Sequence, residues 1–156
     1  MAISQVMVIG AGQMGSGIAQ VFATSGYSVY LHDLKEEFVQ KGIASIAKNL
    51  LRQVEKGKIS HEEQERIIAN ITPSTELENA SKVDLVIEAA IENMEIKCKL
   101  FAELDKMTQP HAILATNTSA LPITEIAAVT TRPDKVIGMH FMNPVPVMKL
   151  IEIIRG

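Results

Sequence analysis

The sequence predicts a doubly wound α/β domain built on a mostly parallel sheet, and three observations carry that expectation. Short β-rich runs at Gln5–Ile9, Ser28–His32, Val83–Ile87, Ala112–Ala115 and Val136–Phe141 alternate with helical periodicities, the pattern of strands joined by crossover helices. The run Val83–Ile87 reads as a buried strand, as strands covered by helices on both faces do. Aromatic residues are scarce, with four Phe, two Tyr and no Trp, so the core has to be aliphatic.

The bulk numbers bound the rest. A chain of 156 residues makes one domain with a sizeable core, and its 47 % apolar content is that of a folded globular protein. A net charge of −3 and a pI near 5.8 lack the basic face that nucleic acid requires. No apolar run reaches membrane-spanning length. The single Cys98 rules out an intrachain disulfide, and four scattered His without paired spacing make no metal case. With no signal segment ahead of the first strand, the setting read is reducing and cytoplasmic.

Each element follows from local signals. After Gln5–Ile9, Met14, Ile18, Val21 and Phe22 repeat at helical spacing until Gly26 stops the helix. Ser28–His32 is the next strand and ends at Asp33. A long helix runs from about Lys35 to Lys56, with Val39, Ile43, Ile46, Leu50 and Val54 as its apolar stripe, widened by Ala47 and Leu51. Gly42 lies inside it at a propensity cost of about 1 kcal/mol. Gly57 ends it, and Ser60 with Glu63 reads as a capping box for a second helix to about Ala69. These two helices form an antiparallel pair expected to project from the sheet. Beyond them come a short strand near Ile71-Thr72-Pro73, the strand at Val83–Ile87, an amphipathic helix over Met94–Met107 and the strand Ala112–Ala115. A short helix over Pro122–Val129 precedes two strands, Val136–Phe141 and Leu150–Ile154, joined by a fixed irregular connection through Pro144 and Pro146.

The first chemical site lies at Gly10-Ala11-Gly12-Gln13-Met14-Gly15. A strand stands immediately before this Gly-x-Gly-x-x-Gly run and a helix immediately after, and an acidic residue, Asp33, ends the next strand. Gly10 permits the tight turn, Gly12 lets a diphosphate approach the backbone, and Gly15 lets helix and strand pack closely. The helix N-terminus, around Gln13 and Met14, offers free N–H groups and a favourable dipole to the anion. Asp33 stands where a carboxylate takes both adenosine ribose hydroxyls and repels an added 2′-phosphate, which selects NAD; Lys35 nearby softens that selection.

Four motifs in order carry a resemblance. Gly10–Ala19, Glu88-Ala89-Ala90-Ile91-Glu92-Asn93, Asn117-Thr118-Ser119 and Gly138-Met139-His140-Phe141-Met142-Asn143-Pro144 together resemble the 3-hydroxyacyl-CoA dehydrogenase family, with its bacterial short-chain members nearest. The likeness covers the family's N-terminal domain. It implies that residues 1–156 are the Rossmann-type NAD-binding domain of a longer two-domain enzyme of fatty acid and butanoate metabolism, without the helical C-terminal domain that supplies much of the homodimer interface. It further implies His140 as the catalytic histidine, Glu152 as its carboxylate partner, Ser119 at the reacting substrate oxygen and Asn143 close by. Glu92, Lys97 and Asn117 are implied on the cofactor side, and Arg52 and Lys56 toward the coenzyme A phosphates. Thr116, where the family commonly has Ser, and Met142, where it commonly has a second Phe, are departures. They bear on packing and chain-length preference, not on the class of reaction.

The residues themselves support the chemistry. Oxidising a secondary alcohol requires a proton acceptor that works near neutrality, which imidazole is. A carboxylate fixes its tautomer and favours the charged form that develops. Other readings stay open: Ser119 as a helix cap ahead of Pro122, Arg52 and Lys56 as solvated charges, Glu88 as a structural acid, His32 and His111 as packing or surface residues. At the level of the whole chain, a 3-hydroxyacid dehydrogenase and a non-catalytic nucleotide-binding module are the alternatives. The cofactor reading makes a direct prediction. NADH binds more tightly than NADPH when each is titrated into the chain by its own fluorescence, and Asp33→Ala narrows the gap. Equal or tighter binding of NADPH by the unsubstituted chain would remove Asp33 from this role.

Overall fold

A computed structural model describes residues 3–89, 93–117 and 123–141, and the backbone of 151–155. Strand β1 (Gln5–Ile9) leads into helix α1 (Gln13–Thr24), β2 (Ser28–His32), the long α2 (Glu36–Glu55), α3 (His61–Ala69) and β3 (Ile71–Ser74). Then follow β4 (Leu85–Glu88), α4 (Met94–Met107), β5 (Ile113–Thr116), α5 (Ile123–Ala128), β6 (Val136–Phe141) and β7 (Ile151–Arg155). Two 3-10 turns, Leu77–Lys82 and Pro133–Lys135, stand outside the expected elements.

The sheet order is β3-β2-β1-β4-β5-β6-β7. β1 to β6 are parallel and β7 alone runs antiparallel, against β6. The order reverses between β1 and β4, so the crossovers on either side diverge there and leave a crevice beyond the carboxyl ends of the strands. Pro73 is tolerated in β3 because that strand is an edge of the sheet.

Alternation along β1 divides the core into two layers. Val6 and Val8 pack with α1, α2 and α3, while Met7 and Ile9 pack with α4 and α5. The end of α1 shows why the chain turns where it does. Gly26 at φ +97° donates to the Ala23 carbonyl, Tyr27 donates to Phe22, and the two rings meet edge-on at 5.3 Å. This closure satisfies the last carbonyls of the helix and adds an apolar contact across its end. α2 closes at Gly57 in the same way, and the Ser60 hydroxyl accepts from the Glu63 N–H at the start of α3. Val39, Ile46 and Leu50 of α2 are buried, but Leu51 is 44 % exposed. Its expected place in the stripe is corrected: it lies one step off the buried face, toward solvent. From there through Glu63 the helical pair is largely exposed, the protruding tip the sequence foretold. No helix among the described residues is long and apolar enough to cross a membrane.

The amino edge of the sheet is fastened by charge. Asp84 accepts from Ser4, from the Gln5 N–H and from the His111 ring at 2.7 Å. These contacts, the His111 bond foremost, hold its carboxyl well below the usual carboxylate range. A carboxylate depressed on folding stabilises the fold above its unfolded pKa, and that contribution is lost as pH falls from there toward the folded value. Stability should therefore decline as pH drops below about 4, the ordinary carboxylate pKa. Asp84→Asn should be less stable at neutral pH by urea denaturation and should show a shallower decline in acid. An identical acid profile in the variant would contradict this assignment.

Candidate active site at the carboxyl edge of the sheet

The site begins with a steric constraint. A Cβ on Gly15 would lie 1.6 Å from the Gly10 carbonyl oxygen, so β1 can turn straight into α1 only because both positions are glycine. Gly10, at φ +110°, donates its N–H to the His32 carbonyl and so lashes the turn to β2. At Gly12 a Cβ would meet nothing within 4 Å, which leaves open space over the backbone. Gly12 also serves as the N-cap of α1 without any side-chain cap, and no acidic residue occupies the first turn. The leading N–H groups, from Gln13 and Met14 to Gly15, thus face that space with the positive end of the helix dipole. This cradle fits a dinucleotide diphosphate.

Asp33 stands immediately after β2. Its Oδ2 accepts from the Ala11 N–H at 2.9 Å and its Oδ1 from Leu34 at 2.7 Å. The carboxylate is therefore held in place by the glycine loop itself, a fastening the sequence reading did not foresee. A cleft of about 390 Å³ opens beside it, lined among others by Gly10, His32, Asp33, Leu34 and Ile96. Leu34 is 86 % and Ile96 55 % exposed, and these two apolar side chains form part of the cleft wall. His32, expected as a surface or packing residue, is buried with its Nδ1 3.2 Å from the Ser74 hydroxyl. Burial pushes its imidazole below the ordinary value, against the opposing pull of Asp33 and Glu78.

Lys97 lies deeper than a ribose contact on an open wall would suggest. It is 1 % exposed, with Nζ 2.7 Å from Glu88 Oε1 and 2.9 Å from the Thr116 hydroxyl, which itself donates to Glu88 at 2.8 Å. The network joins the ends of β4 and β5 to α4, and gives Glu88 the structural role left open above. The signal was legible: Lys97, Phe101 and Leu104 share the buried face of α4. A lysine on such a stripe needs a buried partner.

Asn117 follows β5 and ties three strands. Its N–H donates to the Glu88 carbonyl, and its Oδ1 accepts from the Phe141 N–H at 2.9 Å. The β5–β6 pairing ends at Thr116↔Gly138, so this side chain continues it toward the tip of β6. The Phe141 ring is buried against Phe22 of α1. His140, half-buried and just before it, is thus carried on a strand end fixed from two directions. In the antiparallel pair its register partner is Glu152. Glu92, Ser119 and Asn143 lie outside the described residues, as does the Pro144/Pro146 connection. Arg52 and Lys56 are exposed near the tip of the helical pair, and among the described residues neither joins an ion pair.

The family model for the 3-hydroxyacyl-CoA dehydrogenase NAD-binding domain matches residues 5–156. The chain belongs to that family. Its cofactor is accordingly NAD, in agreement with the diphosphate cradle. The chain is 56 % identical over 156 residues to the probable 3-hydroxybutyryl-CoA dehydrogenase of Bacillus subtilis, covering all of this chain and 54 % of that protein. It is 46 % identical over 155 residues to the 3-hydroxybutyryl-CoA dehydrogenase of Mycobacterium tuberculosis, covering 99 % of this chain and 54 % of the relative. Among solved structures, (S)-3-hydroxybutyryl-CoA dehydrogenase from Ralstonia eutropha superposes with a TM-score of 0.96 at 44 % identity, over 99 % of this chain and 55 % of that one. The Escherichia coli K12 3-hydroxybutyryl-CoA dehydrogenase also gives 0.96, at 43 % identity, over 98 % of this chain and 32 % of that one. The chain thus spans about half the length of the curated relatives it matches.

The buried network yields a test of Lys97. Lys97→Met removes the cation beside a buried carboxylate and should cost about 3–5 kcal/mol of stability in urea. Lys97→Met combined with Glu88→Leu should recover part of it. A stable single variant with weakened NADH binding would instead make cofactor contact the main task of Lys97.

Proposed function

We propose that this chain is the cofactor-binding half of an enzyme that reversibly oxidises (3S)-3-hydroxyacyl-CoA, of short chain length, to 3-oxoacyl-CoA. The observation that carries the reading is the register His140↔Glu152 at the carboxyl edge of the sheet, on a domain whose family binds NAD. Residues directly opposite on antiparallel strands are close enough for their side chains to interact. In this reading His140 takes the hydroxyl proton during oxidation and returns it during reduction, while Glu152 selects the imidazole tautomer and stabilises its cation. NAD, when bound, would supply the acceptor for the hydride of the carbinol carbon, while His140 takes the proton of the hydroxyl on that carbon. Ser119 and Asn143 complete the reacting centre by holding the substrate oxygen. Glu92 and Asn117 serve the nicotinamide side, and Lys97 acts there through the buried network with Glu88 and Thr116 that fixes the strand ends. Arg52, in the last turn of α2, and Lys56, its C-cap, meet the phosphates of coenzyme A as a pair of exposed cations.

Residues 1–156 are one domain in this reading, and a second, helical domain closes the substrate cleft and pairs two copies into a homodimer. The enzyme is cytoplasmic, in keeping with its single Cys98. Because misplacing a reacting group by about 1 Å costs roughly 10²-fold, the isolated chain should bind NADH yet reduce acetoacetyl-CoA poorly. A version extended by the C-terminal half of the Bacillus subtilis relative should turn over. In that version His140→Ala should lower turnover about 10²–10⁴-fold with NADH binding nearly unchanged, and Glu152→Gln should also lower it. Comparable turnover by the isolated chain would overturn the two-domain reading. Undiminished turnover in His140→Ala would overturn the assignment of the base.

A further inference from the structure

Gly42 sits in the middle of α2, at helical φ, where no turn asks for glycine and where glycine lowers helix propensity. The reason for it is space. A Cβ there would lie 2.8 Å from Ser16 Oγ, 2.9 Å from the Ala11 carbonyl oxygen and 3.1 Å from the Ala11 Cβ. Two of the three obstacles belong to Ala11, the residue between Gly10 and Gly12 of the dinucleotide loop, and Ala11 is itself 6 % exposed.

Ala11 is held from three sides. Its N–H donates to Asp33 Oδ2 at 2.9 Å, its carbonyl accepts from the Ser16 hydroxyl at 3.0 Å, and the backbone of α2 at Gly42 closes over both its carbonyl and its methyl. Ser16 is also buried, so this seam between α1, α2 and the loop has no slack that a methyl group could use. We propose that Gly42 is a positioning residue for the cofactor: by letting α2 rest directly on Ala11 it sets the height of the glycine loop, and so the placement of the N–H groups that receive the diphosphate. It acts through Ala11 and touches no cofactor atom. N–H donors serve an anion only near 2.7–3.2 Å, so a shift of a few tenths of an ångström in the loop is felt in affinity.

The inference rests on the cofactor reading, and its test separates the two. Gly42→Ala removes a helix-weakening residue and inserts a methyl against the loop, so helix propensity and loop placement pull in opposite directions. NADH titrations of the 156-residue chain should show a dissociation constant raised roughly tenfold or more, the scale of one weakened charge-assisted hydrogen bond, with the urea midpoint of the free chain little changed. Ser45→Ala, an exposed position of the same helix, should leave the affinity as it was. A Gly42→Ala chain that binds NADH as the unsubstituted one does would overturn the proposal alone. An unsubstituted chain that does not bind NADH would overturn the cofactor reading and the proposal with it. Should Gly42→Ala not fold, amide hydrogen exchange on the unsubstituted chain decides: NADH should slow exchange over Gly42–Ile46 by linkage, and unaltered exchange there would reject the coupling.

Discussion

The contact between Gly10 and Gly15 is the constraint from which the rest of the site follows. With only 1.6 Å from the Gly10 carbonyl oxygen to the point a Gly15 Cβ would occupy, the first strand can hand over to a helix with almost no loop between. The helix then starts at the carboxyl edge of the sheet with its N-terminus uncapped by any side chain. Every other feature is arranged around that start. β2 brings Asp33 to the Ala11 N–H, α2 brings Gly42 to the Ala11 carbonyl, and β6 brings the Phe141 ring to Phe22 on the same helix. Helix α1 is thus the common support of the cofactor cradle and of the strand that carries His140.

This arrangement divides labour between buried charge and apolar packing. The Lys97–Glu88–Thr116 network fixes the ends of β4 and β5 in a region with almost no solvent. Arg132 does comparable work at the far end of α4, bonding the Asp105 carboxylate and carbonyl and the Gln109 carbonyl just beyond the helix. Such groups are costly to bury singly and acceptable only when fully engaged. The Lys97–Glu88–Thr116 network holds the ends of β4 and β5 at a fixed separation, which an aliphatic core alone specifies loosely.

The sequence disclosed the elements whose signals are local. The helix Met94–Met107 and the strands Gln5–Ile9, Ser28–His32 and Val136–Phe141 have the expected bounds, because periodicity and the Gly26 stop act within a few residues. The 3-10 turn Leu77–Lys82 lacks such a period and went unforeseen. Pairings between distant residues were also hidden. Nothing near Gly42 in the chain marks Ala11, thirty-one positions earlier, as the neighbour that excludes a side chain. Asn117 was legible as part of a motif, yet its bond to the Phe141 N–H follows from where β5 and β6 part. The resemblance implied His140 and Glu152 as partners, and the antiparallel pairing of β6 with β7 sets their backbones opposite one another.

The central claim is that one ligand binds along the carboxyl edge, from the start of α1 to the tip of β6. Mapping NADH onto the isotopically labelled chain by amide chemical shifts tests it most directly. The account predicts that the largest changes cluster at Gly10–Gly15, Asp33 and Leu34, and extend across the sheet to Asn117 and Phe141. Changes confined to the tip of the helical pair around Arg52 and Lys56, or to the amino edge near Asp84 and His111, would contradict it.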